Sequence, residues 1–203
     1  GLDVNLQAVA QADARQIFLD ANALYLLKED ETIWRISDPR TGDLQAARQL
    51  VTDTGNREIT ASNGVIYILR ANGNIWRYLD GESKEGDLLK RIDGGVETRQ
   101  IFSAEQGLFV LKNSGAVWLI RNPQNPTQND SQQLTLPPGN RVAIHVTGPY
   151  LITVERDEKA EPAIKIYQNP ADSATTNIAQ QVAQLQVETP AGSPPPPIPT
   201  STP

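Results

Sequence analysis

The stretches ALYLLKEDETIWRI (residues 23–36), VIYILRANGNIWRY (65–78) and GLFVLKNSGAVWLI (107–120) are one pattern written three times, and their reading decides the fold. Trp34, Trp76 and Trp118 stand 42 residues apart, and the neighbouring columns keep the same offset. Tyr25, Tyr67 and Phe109 align, as do Leu27, Leu69 and Leu111, then Lys28, Arg70 and Lys112, then Ile33, Ile75 and Val117. Farther out, Ile17, Ile59 and Ile101 hold the period, and so do Leu50, Ile92 and Leu134. Agreement in so many columns at a single offset identifies an internal repeat. A fourth, divergent copy follows. Arg141 keeps register with Arg99, and YLITVERDEKAEPAIKIYQNP from Tyr150 repeats the plan with a longer hairpin and with Lys165 where tryptophan is expected.

Each copy resolves into short strands. In the second, Glu58 to Ala61 predicts a first strand, Val65 to Arg70 a second, Ile75 to Leu79 a third, and Leu88 to Ile92 a fourth. The Asn72-Gly73 pair predicts a type I′ hairpin turn between the second and third, because both central positions of that turn need positive φ. Along the second strand Val65, Tyr67 and Leu69 face one way and Ile66 and Ile68 the other, so both faces of the sheet are apolar and both must be covered. Sheets of four strands stacked radially, one per unit of about 40 residues, meet that requirement, whereas a helical repeat would carry a 3.6-residue period that is absent. The fold class is therefore all-β, a β-propeller of four repeats with four-stranded blades.

The propeller is expected over residues 1–188, with repeats near 16–57, 58–99, 100–141 and 142–188. Residues 5–15 align with the fourth strand and turn that precede each first strand. Two arrangements follow. That segment closes the ring by pairing with the last blade, which is the favoured one, or Gln184 to Val187 supply the final strand and the chain is part of a larger propeller. Residues 189–203 (TPAGSPPPPIPTSTP) hold seven of the fifteen prolines and read as an extended tail or linker.

Composition narrows the function classes. A net charge of −6 with 21% charged residues lacks the basic footprint of a nucleic-acid binder. No apolar run approaches the roughly 20 residues of a membrane helix. The chain has no cysteine and only His145 among histidines, so thiolate zinc sites and disulfides are excluded and no metal or cofactor is expected. Nucleophile-elbow, P-loop and dinucleotide signatures are absent, and no catalytic residue is assigned. The chain begins at Gly1 and has no methionine, which points to a processed or trimmed N-terminus and, with the Pro-rich tail, to an extracytoplasmic location.

The Gly-x-Ile-Trp-Arg hairpin after an aromatic-x-Leu-basic strand, carried by Trp34, Trp76 and Trp118, resembles tectonin-type lectin repeats and the propeller domains that some bacterial envelope and signalling proteins hold outside the membrane. The resemblance spans residues 16–169 and implies recognition of sugars or envelope components. Two departures, Leu119 where a basic residue should follow Trp118 and no tryptophan in the fourth copy, argue against a symmetric four-site lectin.

Two columns could carry a function. The tryptophans could stack on sugar, but in a propeller both sheet faces lie between blades, so Trp34, Trp76 and Trp118 read first as packing. Arg15, Arg57, Arg99 and Arg141 recur every 42 residues ahead of each first strand and would form a cationic ring at one mouth of the channel, suited to carboxylates or phosphates. Their structural alternative is a seam contact to a neighbouring blade's acid or tryptophan. The acidic loop Asp80 to Asp87 reads as solvated rather than calcium-binding, and His145 as a half-buried structural residue. The leading reading is a non-catalytic binding or scaffold module for a protein partner or envelope component; a glycan-binding lectin is the alternative, and a hydrolase at the channel mouth the third. Oligomeric state is left open.

Overall fold

The computed structural model describes residues 13–20, 23–37, 47–79, 89–93, 97–124, 130–156, 161–168 and 176–177. Every regular element among them is a strand, and the strands form four antiparallel sheets of four. Blade 1 holds β1 (Ala14–Asp20), β2 (Ala23–Lys28), β3 (Ile33–Ile36) and β4 (Ala47–Val51). Blade 2 holds β5 (Asn56–Ser62), β6 (Val65–Arg70), β7 (Ile75–Leu79) and β8 (Leu89–Asp93). Blade 3 holds β9 (Thr98–Ala104), β10 (Gly107–Lys112), β11 (Val117–Ile120) and β12 (Ser131–Gln133). Blade 4 holds β13 (Asn140–Thr147), β14 (Tyr150–Arg156), β15 (Pro162–Gln168) and β16 (Thr176–Asn177). In each sheet the strands pair in chain order, the up-and-down meander of a propeller blade.

The type I′ turn falls elsewhere than the sequence predicts. Asn63 and Gly64, with φ of 54° and 76°, join β5 to β6 in a two-residue hairpin closed by the Ser62–Val65 pair. Of the Asn72-Gly73 pair only Gly73 has positive φ, at 80°. The Arg70 amide bonds the Asn74 carbonyl at 2.9 Å, and the Asn72 side chain accepts from the Asn74 amide at 3.0 Å. The extra residues between β6 and β7 let Asn72 act as a turn-capping side chain instead of taking positive φ.

Three apolar seams join neighbouring blades. Tyr25, Leu27 and Ile33 of blade 1 meet Ile59, Ala61, Ile66 and Ile68 of blade 2. Tyr67, Leu69 and Ile75 meet Ile101, Leu108 and Val110 of blade 3. Phe109, Leu111, Val117 and Leu119 meet Ile144, Val146, Leu151 and Tyr167 of blade 4. The first strands are the inner ones, β1 on β5, β5 on β9 and β9 on β13. Among the described residues no apolar cluster joins blade 4 back to blade 1. The outer strand expected within residues 5–15 lies outside the described residues up to residue 12, as do the fourth-strand candidate 184–187 and the tail 189–203.

Candidate functional site

The inner strands carry a polar ladder along one mouth of the propeller. Each begins with a bulge: in β5 the pairing steps from Asn56–Arg70 to Glu58–Leu69 and leaves Arg57 unpaired, free to project past the sheet edge. Arg15 stands at the same bulge in β1. Its guanidinium donates to the carbonyls of Asn56 at 2.6 Å and Arg57 at 3.1 Å, on the next blade's inner strand. Arg57 repeats this one blade on, donating to the carbonyls of Thr98, at 3.2 Å, and Arg99. The column thus tethers blades through backbone carbonyls, neither through acids nor through indoles. Arg15, Arg57 and Arg99 are all exposed, and the Arg99 side chain makes no hydrogen bond or ion pair among the described residues.

Arg141 is placed differently. One residue has been inserted ahead of β13, so Ile144, not residue 143, takes the position of Ile59 and Ile101. The unpaired bulge residue is then Val142, and Arg141 pairs with Glu155 where Asn56 pairs with Arg70. Arg141 is only 5% exposed, turned into the blade instead of onto the rim. Three arginines share the rim; the fourth does not join them.

A second ladder lies one residue deeper. Gln16 bonds both backbone groups of Ile59, donating to its carbonyl and accepting from its amide, each at 2.8 Å. Gln100 does the same with Ile144, at 3.1 and 2.8 Å. Between them stands Glu58, which accepts from the Ile101 amide; burial is the main cause that raises its carboxyl to about 7, against smaller lowering effects of that hydrogen bond and of Arg57. The 42-residue spacing of residues 16, 58 and 100 was the available signal for this ladder, but polar columns are easily passed over beside apolar ones.

Two of the three tryptophans lie at seams. Trp76 packs against the blade 1–2 cluster and Trp118 against the blade 2–3 cluster, while Trp34 lies beside Leu24, Leu26 and Ile36 on the outward side of blade 1. Lys28 sits 5.3 Å from the Trp34 ring centroid and Arg70 4.9 Å from that of Trp76, occupying indole faces that a sugar would need. In blade 4 the pair is exchanged. Lys165 pairs with Thr153 as Trp76 pairs with Ile68, and Glu155 takes the position of Arg70. Glu155 is 4% exposed and holds Lys165 at 2.6 Å and Arg141 at 3.3 Å, with Thr153 and Tyr167 donating to it at 3.3 Å.

His145 is exposed, not half-buried, and meets the Phe102 ring edge-to-face at 4.6 Å. Among the described residues no group of three or more His, Cys, Asp and Glu side chains could hold a metal, and no helix is long and apolar enough to cross a membrane. The acidic loop at residues 80–87 lies outside the described residues. At the opposite mouth, a cleft of about 140 Å³ between blades 2 and 3 is lined by Asn63, Tyr67, Glu105, Arg121 and Asn122 among others.

Sheets, seams and ladder together define a β-propeller repeat protein. No family model and no curated protein matches the chain. Solved structures do. Human WBSCR16 aligns with 76% of this chain at a TM-score of 0.54 and 10% identity, PorZ of Porphyromonas gingivalis with 79% at 0.52 and 13%, and Prp20p of Saccharomyces cerevisiae with 75% at 0.51 and 10%. The chain spans less than half of each, covering 47%, 20% and 44% of their lengths.

Proposed function

We propose that the chain is a non-catalytic propeller module that binds an acidic protein segment along the rim formed by Arg15, Arg57 and Arg99. The observation that carries this reading is the repeated exposed arginine on successive inner strands of an otherwise acidic protein. Arg15 and Arg57 each spend part of their donor set on the next blade, which holds their guanidiniums at a fixed spacing, and Arg99 keeps all of its donors. A guanidinium presents five donors in a planar fork matched to carboxylate, so pre-positioned forks suit an extended acidic chain. The likeness to Prp20p, whose structure is described with its binding to Gsp1p and histones, supports a protein partner. The likeness to PorZ, described as a bacterial surface component of a secretion system, supports an extracytoplasmic setting and an envelope assembly.

Arg99 is the residue to test, because it ties no described seam. A fluorescein-labelled oligoglutamate peptide, followed by anisotropy at low salt, should bind the wild-type chain and weaken about tenfold with Arg99→Ala, the equivalent of about 1.4 kcal/mol. Arg99→Glu should abolish binding, and both variants should melt as the wild type does. Equal binding by Arg99→Glu and wild type would overturn the reading.

A further inference from the structure

The arginine rim and the ladder one residue deeper meet in two chain neighbours, Arg57 and Glu58. Arg57 stands exposed in the bulge of β5, and its guanidinium crosses to the Thr98 and Arg99 carbonyls of β9. Glu58 is half-buried and crosses the same seam, accepting from the Ile101 amide. The seams on either side carry Gln16 and Gln100 at that position, each bonded to both backbone groups of the residue it faces. A glutamine stays neutral and keeps its N–H donors at every working pH, whereas a carboxyl is neutral and a donor only while protonated. The seam between blades 2 and 3 therefore holds the one rung of this ladder that can acquire a charge. It acquires that charge beside the central arginine of the rim.

We infer that Glu58 is a proton switch on the rim: protonated, it leaves the three arginines their full charge, and ionised, it sets a carboxylate against Arg57 and loosens the hold on an acidic segment. The inference rests on the rim as the binding surface and adds its regulation. Burial carries the Glu58 carboxyl up to about 7, against the opposing pull of the Ile101 hydrogen bond and of Arg57, so the switch turns near neutral pH. The strands packed on β5 are β1, β2, β6 and β9, and their ionisable side chains are otherwise engaged. Arg15 and Arg99 belong to the rim itself, and Asp20 holds the Gly64 amide at the opposite mouth, 2.9 Å away. Lys28 and Arg70 lie over indoles, and Tyr25 and Tyr67 are buried in the seams. Arg57 is the charge that acts on Glu58. The coupling is reciprocal: the factor by which ionised Glu58 weakens binding is the factor by which a bound acidic segment strengthens the hold of Glu58 on its proton.

The test is anisotropy of an oligoglutamate peptide, carrying a pH-insensitive fluorophore, at pH 6 and pH 8.5 and one low salt concentration. Free glutamate side chains titrate at about 4.3, so the peptide keeps its charge across this range. The wild-type Kd should rise about three- to tenfold at the higher pH, the scale of one added charge near the surface. Glu58→Gln should bind at both pH values as the wild type does at pH 6. His145→Gln should keep the wild-type dependence, which separates Glu58 from the single histidine, the side-chain type that ordinarily titrates in this range. A second readout needs no variant fold. In wild-type chain carrying 13C-labelled glutamate, one carboxyl should titrate near 7, and saturating unlabelled peptide should raise its midpoint by about 0.5 of a pH unit for a threefold effect. Absence of binding at both pH values would sink the rim reading and this inference with it. Binding that ignores pH, a dependence that persists in Glu58→Gln, or a carboxyl midpoint that the peptide leaves in place would each overturn the switch alone.

Discussion

Glu58 stands in a row of glutamines and behaves like one only when protonated. Gln16 and Gln100 each give an N–H to the facing carbonyl and take the facing amide, and a carboxylate can only do the second. A neutral carboxyl can do both, and burial favours that form, with a folded value of about 7 against an ordinary 4.5. The charge nearest to it is Arg57, on the adjacent bulge, which pulls the other way but is outweighed. The sign follows. Between about pH 4.5 and 7 the folded chain binds more protons than the unfolded one, so stability falls as pH rises through that window and stays lower above it. The size is on the order of 3 kcal/mol at most. Glu58→Gln should remove that slope and be the more stable protein at pH 8, with urea midpoints at pH 5 and pH 8 as the readout. A wild type whose midpoint does not move between those values would show that Glu58 is ionised in the fold. The apolar columns at this scale were legible from the 42-residue period, and so were the arginines. The fate of Arg141 was not, since a one-residue insertion ahead of β13 leaves the sequence spacing intact while moving the ladder position.

At the scale of the blade, the fourth element solves the same packing problem with different chemistry. Blades 1 and 2 lay a cation over an indole, Lys28 on Trp34 and Arg70 on Trp76. Blade 4 places Lys165 on the indole site and Glu155 on the cation site, and the slipped Arg141 becomes the second cation of a buried triad. The exchange explains why Lys165 replaces tryptophan without unmaking the strand. It also explains Gly139, where any Cβ would collide with the Glu155 carboxylate. The two cations are unequal partners: Arg141 is as buried as the acid, whereas the Lys165 side chain is 30% exposed. Glu155→Ala therefore strands a buried guanidinium and should cost about 3–5 kcal/mol, while Lys165→Ala leaves the Arg141–Glu155 pair and should cost about 1 kcal/mol. Equilibrium urea unfolding of both variants checks the ratio, and equal losses would mean that the triad does not act through Arg141. A missing tryptophan was legible as a divergence in this blade, but its replacement by a coupled acid and base was not, because the partners are ten and fourteen residues apart from Glu155 across a lengthened hairpin.

For the whole molecule, the decisive fact is that the three apolar seams lie between neighbouring blades. Stability in such a stack is approximately the sum of blade terms and nearest-neighbour seams, so a blade with two seams opens less readily than a blade with one. Blades 2 and 3 have seams on both sides, and blades 1 and 4 have one each among the described residues. Buried polar links add to the central seam, where the Thr60 and Ser103 hydroxyls meet at 2.6 Å and Ser103 reaches the Ala61 carbonyl at 2.7 Å. That the blades would stack was readable from strands apolar on both faces. That Ile17 and Ile164 would be exposed was not, since they are as apolar as the interior residues they match. Native-state hydrogen exchange on the isolated chain at low concentration should therefore be graded: the amides of β6 and β10 exchange slowest, with protection approaching that of global unfolding, and those of β14 and β15 exchange faster. Uniform protection across the four blades would mean that the domain opens as a single unit.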